Sequence, residues 1–279
     1  MAVNKENTLR NIFTYFLFIA VVLAAFIPIL WIIITSLKRT IDIFSYPPVI
    51  IPVRPAFENY LKIFKLAEMS RTFLNSIIVA TSTTVSVILL SSLAAYGFSR
   101  FRFKEKGVLM LILLGTQMIP AVTNIIPLYI TMLRLHLLDS LTALLLIYAA
   151  LNIPFSVWIL KSYLDSIPIS IDEAAMIDGA NRLYIIFRII FPLCLPGIAA
   201  ASLFVFIQCW NEFYLALVLT STLKSRTIPL GLFTFQASYD IQWNLLSAAS
   251  VVAMLPIILL FIILQESFVS GLTKGAFKG

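Results

Sequence analysis

The sequence predicts an all-α, polytopic membrane protein with about six transmembrane helices. Three observations carry that prediction. The 279-residue chain is 61% hydrophobic and only 12% charged, about half the charge of a soluble domain. Its mean hydropathy is +1.00. Its apolar residues gather into stretches of about 20 residues or more, the length a helix needs to cross a bilayer. The segments between them do not resemble independent domains, so residues 1–279 read as a single transmembrane domain.

The spans fall at about 12–36, 73–98, 108–131, 141–162, 198–221 and 246–267. The first follows Lys5 and Arg10, as a signal peptide's apolar region would. It is too long for one, and no small-residue cleavage site precedes Lys38-Arg39, so it reads as a retained anchor. The loop at about 37–72 holds "YPPVIIPVRP", whose prolines at 47, 48, 52 and 55 favour extended, non-helical backbone. Spans three and four carry Pro120, Pro127 and Pro154. The loop at about 222–245, "LKSRTIPLGLFTFQASYDIQWN", reads as polar and irregular.

An even number of spans puts both termini on one side. With the termini cytoplasmic, eleven of the 20 basic residues fall inside and nine outside, a weak bias. The short loops discriminate better. "RFRFKEK" at 100–106 holds four basic residues, whereas "LRLHLLDS" at 133–140 holds one. Positive charge on short loops marks the cytoplasmic face, so the termini are expected inside. The net charge of +7 belongs to that pattern. No basic run interleaved with aromatics suggests nucleic acid. Cys194 and Cys209 lie in or beside apolar segments without a partner pattern, so neither a disulfide nor a metal site follows. The sole histidine, His136, reads as a surface residue of a short loop.

On this topology the segment at about 163–197 is cytoplasmic, and within it "SIDEAAMIDG" carries its own helix punctuation. Ser170 suits an N-cap, with Glu173 at the third helical position completing a capping box. Ala174 and Ala175 favour helix, and Gly179 suits a left-handed stop. A second helix is expected from Asn181 to Pro192. A short helix, a turn and a second helix against the membrane face suit docking into a partner's groove.

At these residues the chain resembles the permease subunits of binding-protein-dependent ABC importers. The spacing Glu173-Ala174-Ala175, Gly179, Ile189-Ile190-Phe191-Pro192 matches that family's cytoplasmic motif, with Phe191 where leucine is usual. "TQMIPAVTNIIPLY", "WNEF" and "FVSGLTKGAFKG" are similar to the carbohydrate branch, in particular to the smaller maltose-type permease. Ile147 stands where such proteins often have proline. The resemblance implies a cytoplasmic coupling helix, with Glu173, Ala174, Ala175, Asp178, Gly179 and Pro192 in ATPase coupling. It also implies a second permease, two ATP-binding subunits that hold ATP and magnesium, and an extracytoplasmic solute-binding protein. The solute is expected to be a sugar or oligosaccharide, with a polyol or glycerol phosphate as the alternative. The chain itself needs no cofactor, and the resemblance implies a multi-pass protein of a bacterial or archaeal inner membrane.

Individual residues carry two readings each. Glu173 serves either as a cap or in coupling. Glu212 in "WNEF" is expected inside span five, where an acid costs about 2.5–3.5 kcal/mol on insertion scales. It reads as a gate or pairing residue, or as a solute contact. Gln117, Asn124, Asn152, Gln208 and Asn211 line a path or serve as packing glue. Phe233, Phe235 and Tyr239, in the loop before the last span, either fold back on the bundle or meet the binding protein. No G-x-x-x-x-G-K-[ST] loop occurs, so ATP hydrolysis is assigned to a partner. An intramembrane enzyme lacks a visible catalytic constellation. A stand-alone secondary transporter would need deep coupling acids and no docking helix.

Overall fold

The computed structural model describes residues 5–65, 67–236 and 241–276, and among them it is helical with no strand. In chain order the helices are α1 (Lys5–Ser36), α2 (Thr40–Ile43), α3 (Glu58–Lys65), α4 (Ala67–Arg100), α5 (Lys106–Gln117), α6 (Ile125–Arg134) and α7 (Leu141–Asp165). They continue as α8 (Ser170–Ile177), α9 (Arg182–Tyr184), α10 (Phe191–Leu193), α11 (Leu195–Asn211), α12 (Tyr214–Leu219), α13 (Ile228–Gln236) and α14 (Trp243–Ala276). A 3₁₀ turn covers Ala121–Asn124, and a π-helical turn over Ile185–Ile190 joins α9 to α10. Four helices are long and apolar enough to cross a membrane, or up to six spans if each of two bent helix pairs counts as one.

Two helix pairs are sharply bent. In span three, Lys106–Gln117 and Val122–Arg134 meet at 89°. Pro120 lies at the break; it lacks an N–H to extend α5 and bars helical backbone at the residue before it. Span five begins at Leu195 and ends as a helix at Asn211, with Glu212 extended at φ −69°, ψ 123°. Residues 182–193 and 195–211 make an 80° bend just before it. The π turn ends where Phe191-Pro192 begins; the proline ring would strike the carbonyl of Arg188 in α geometry. The loop at 222–245 is not irregular throughout, because α13 occupies its middle.

Two compact units are distinguished: residues 1–69 with 232–254, and residues 70–231 with 255–279. In the first, Asn59 is 1% exposed and staples the turn after α1. Its Nδ2 donates to the carbonyls of Ser36 (2.8 Å) and Lys38 (2.9 Å), while its Oδ1 accepts from Asn244 at 3.1 Å. The proline-rich stretch between α2 and α3 is non-helical, as its composition predicts. From Phe13 to Trp31, α1 is exposed.

In the second unit the core runs along α7, where Leu144, Tyr148, Val157 and Leu160 are at most 2% exposed. α7 packs against α5, α11 and α12. Close approach to α11 requires Gly197, since a Cβ there would lie 2.6 Å from the Tyr163 ring. Near the ends of α4 and α7, Tyr96, Leu164, Ala175, Ile185 and Ile190 form one buried cluster, which seats the helix pair α8–α10.

Candidate functional site

The first half of the site is α8 and the turn after it. α8 starts one residue earlier than its sequence suggests, with Ile169 and not Ser170 at the N-cap. Ile171 N–H donates to Pro168 O (3.2 Å) and Glu173 N–H to Ile169 O (3.1 Å), so Ser170 is already helical and the capping box does not form. A turn closed by Pro168 O and Ile171 N–H leads into the helix. The glycine stop forms as its position predicts. Gly179 has φ +86°, and Ala180 N–H reaches Ala175 O at 3.0 Å while Gly179 N–H reaches Met176 O at 3.1 Å. This is a Schellman closure, which only glycine enters without strain. Asn181 then caps α9, accepting from Tyr184 N–H at 2.8 Å.

The two faces of α8 differ sharply. Ala175 is buried in the core cluster, whereas Glu173, Ala174, Asp178 and Gly179 are exposed. Ile177 is 86% exposed and Met176 41%. Pro192 is also exposed. A groove of about 480 Å³ opens beside this face, lined by Ala175, Asp178, Gly179, Ala180, Asn181, Tyr184 and Ile189.

Asp172, which the sequence motif passes over, holds this surface in place. Its carboxylate accepts from Tyr96 OH at 2.9 Å and from Arg100 Nε at 3.0 Å. The Arg100–Asp172 side chains are each 5% exposed. Arg100 also donates to Leu164 O and Ile167 O, both at 3.1 Å. One guanidinium thus joins the end of α4, the end of α7 and the start of α8. Arg100 is therefore not a free loop charge. The available signal was spacing: Asp172 lies one turn before Ala175 on the face that α8 buries, and a carboxylate there demands a cation.

The second half of the site is a cavity of about 340 Å³ where α5, α7, α11 and α12 meet. Gln117, Asn152, Gln208 and Glu212 line it together, with Tyr148, Phe155 and Phe204. Four of the six pathway candidates are thus brought together. Asn124 and Asn211 are not among its lining residues; Asn124 ends the 3₁₀ turn and Asn211 is exposed at the end of α11. Gln117 Nε2 donates to Leu151 O at 3.1 Å and Asn152 Nδ2 to Tyr148 O at 2.8 Å. The Phe155 and Phe204 rings lie 4.3 Å apart.

Glu212 sits in a helix break and not within a helical span. Its carboxylate accepts from Tyr148 OH (2.7 Å), Leu215 N–H (2.8 Å) and Ala216 N–H (3.1 Å). Those amides are orphan donors of the first turn of α12, where a negative charge is favoured. Three donors replace the hydration that the carboxylate loses. This is why an acid persists here.

Just before the N-terminus of α7, Asp139 joins the α6–α7 loop to the segment after α12. It accepts from the N–H groups of Ser221 (2.8 Å) and Thr222 (2.9 Å) and from the hydroxyls of Thr222 and Ser225. Burial acts to raise its pKa, but these donors outweigh burial and hold the carboxyl well below the usual carboxylate range. Asp139 itself is left-handed, at φ +56°. Its neighbour in sequence, His136, is exposed on the same loop.

The aromatic candidates before the last span lie on or beyond α13. Phe233 is 45% exposed, Phe235 is half-buried, and Tyr239 lies outside the described residues. Ile228 and Leu230 are buried, so the start of α13 is anchored. Among the described residues, no group of three or more His, Cys, Asp or Glu is placed to hold a metal.

Comparison with known proteins places the apolar spans, the polar cavity and the exposed helix-turn-helix in a family. The chain belongs to the family described as binding-protein-dependent transport system inner membrane component, whose profile matches residues 87–274. It is 38% identical to the sulfoquinovosyl glycerol transport system permease SmoH of Agrobacterium fabrum, over 90% of this chain and 88% of that one. It is 34% identical to the trehalose/maltose permease MalG of Thermococcus litoralis over 99% of each chain. It is also 34% identical to the diacetylchitobiose permease DasC of Streptomyces coelicolor over 96% of each. The fold matches a chain from the crystal structure of a bacterial ABC transporter involved in alginate import, with a TM-score of 0.84. That match has 23% identity and covers 96% of this chain and 99% of the other.

Proposed function

We propose that this chain is one of two permease subunits forming the path of an ATP-driven importer for a sugar or oligosaccharide. The observation that carries the reading is the asymmetry of α8. A buried ion pair fixes one face, while the other presents Glu173, Ala174, Met176 and Ile177 to solvent. An exposed isoleucine and methionine beside a groove are costly to leave in water and suit a protein partner. In this reading the partner is a separate ATPase pair, which holds ATP and magnesium, and the segment at about 163–197 is cytoplasmic together with both termini. Closure of the ATPases moves α8, and the bundle rocks as a rigid body between inward- and outward-facing states. A solute-binding protein delivers solute at the other face, near α13 and the residues after it.

The cavity at Gln117, Asn152, Gln208 and Glu212 supplies this chain's share of the path, completed by the second permease. Amides and paired phenyl rings suit hydroxyl-rich solutes. The lining holds one carboxylate and no Lys or Arg among the described residues, which favours a neutral saccharide or polyol over glycerol phosphate. The relatives named for glycosides, maltose and diacetylchitobiose support the carbohydrate class.

The direct test is co-purification. Ile177→Asp is expected to leave the permease inserted and to abolish near-stoichiometric recovery of the ATPase. Wild-type recovery with this variant would overturn the docking role of α8.

A further inference from the structure

The first unit holds a cavity of about 460 Å³ that the transport reading does not use. It lies where the apolar span of α1 ends, at Ser36, and that of α14 begins, at Trp243. Trp31, Thr35, Lys38, Phe44, Trp243 and Leu246 are among its lining residues.

Its polar groups are short of partners. Lys38 is 5% exposed, and its Nζ lies 4.8 Å from the Trp31 ring centroid. Among the described residues no carboxylate forms an ion pair with it. Asp42 feels its charge at longer range but is paired with Arg39 at 3.0 Å. The Thr35 hydroxyl is buried without a hydrogen-bond partner. A cation–π contact stabilises an ammonium but leaves its hydrogen-bond donors free. An ammonium with no carboxylate partner among the described residues, on a largely buried side chain beside an orphan hydroxyl, is placed to take an anion.

Position selects the anion. The ends of two spans, flanked by two tryptophans that are 54% and 41% exposed, mark the headgroup level of a bilayer. Phe44 and Leu246 continue the lining as apolar surface. We infer that this cavity binds an anionic phospholipid, whose phosphate meets Lys38 and Thr35 while the start of an acyl chain lies along Phe44 and Leu246. The lipid supplies the counter-ion that the chain does not.

The test uses the assembled transporter, exchanged into nanodiscs of phosphatidylcholine with a minority of phosphatidylglycerol, then released and examined by native mass spectrometry. Wild type is expected to retain phosphatidylglycerol selectively. Lys38→Met should lower the retained fraction about fivefold, the loss of one near-surface cation, and Lys38→Arg should largely keep it. A photo-crosslinker at Phe44 should capture lipid. Equal retention of both headgroups by wild type would overturn the proposal, as would unchanged retention in Lys38→Met. Crosslinking from position 44 to the second permease, with no lipid adduct, would also overturn it. The headgroup comparison and the crosslink hold even if Lys38→Met fails to assemble.

Discussion

Arg100 and Asp172 lie 72 positions apart and are both nearly dry. Removing one partner of such a pair strands the other, at a cost of about 3–5 kcal/mol. Asp172→Ala should therefore lower the melting temperature of the purified complex and its transport together. Glu173→Ala, at an exposed neighbour, should leave melting unchanged. Equal melting for both variants would show that the ion pair is not what holds α8.

Asp139 gives a pH prediction of definite sign. Its folded pKa is depressed, so its stabilisation is present above the unfolded value of about 4 and is lost as pH falls through the lower folded value. Asp139→Asn removes the charge but tolerates the left-handed backbone. The stability gap between wild type and Asp139→Asn should stay constant from neutral pH to about 5 and narrow below about 4. A gap that is flat down to pH 3 would show that the ionised form is not what the four donors hold.

At the scale of elements, the turn after α8 depends on a conformation and not on space. No atom would meet a Cβ at Gly179, yet its φ of +86° penalises any side chain. Gly179→Leu should cost about 1–2 kcal/mol locally and tilt α8 against α9. Uptake and stimulated ATPase should fall, while membrane insertion persists. Gly197 is the opposite case: its backbone is ordinary, but Tyr163 fills the space. Gly197→Val should destabilise the α7–α11 contact by about 1–3 kcal/mol through overpacking, and Tyr163→Ala should partly rescue it. The failed capping box belongs to this scale too. Ser170 and Glu173 have the right spacing, but Ser170 is itself the first helical residue, with Ile169 at the N-cap.

For the whole molecule, the orientation is the open choice on which the functional reading turns. On the proposed topology, single cysteines at Ile177 and Phe233, both exposed, report opposite faces; the native Cys194 and Cys209 are buried. An impermeant thiol reagent added outside intact cells should label position 233 and not 177. Labelling at 177 from outside would invert the topology and remove the cytoplasmic docking helix.

The sequence by itself determined that this chain is an all-helical membrane protein, and where the glycine turn after α8 lies. Hydropathy over about 20 residues and a glycine that must be left-handed are local properties, expressed wherever the chain happens to fold. That Gln117, Asn152, Gln208 and Glu212 face a cavity was also legible, because an amide or acid in an apolar span is costly unless it does so. The tertiary structure alone decided where spans three and five break, which candidates share a cavity, and that Asp172 with Arg100 anchors α8. Those outcomes depend on partners far away in the chain. The donors that hold Glu212 come from Tyr148 and from the helix that the break itself creates. No spacing rule within one segment contains that pairing, since the energy of a buried charge is set by what packing brings to it.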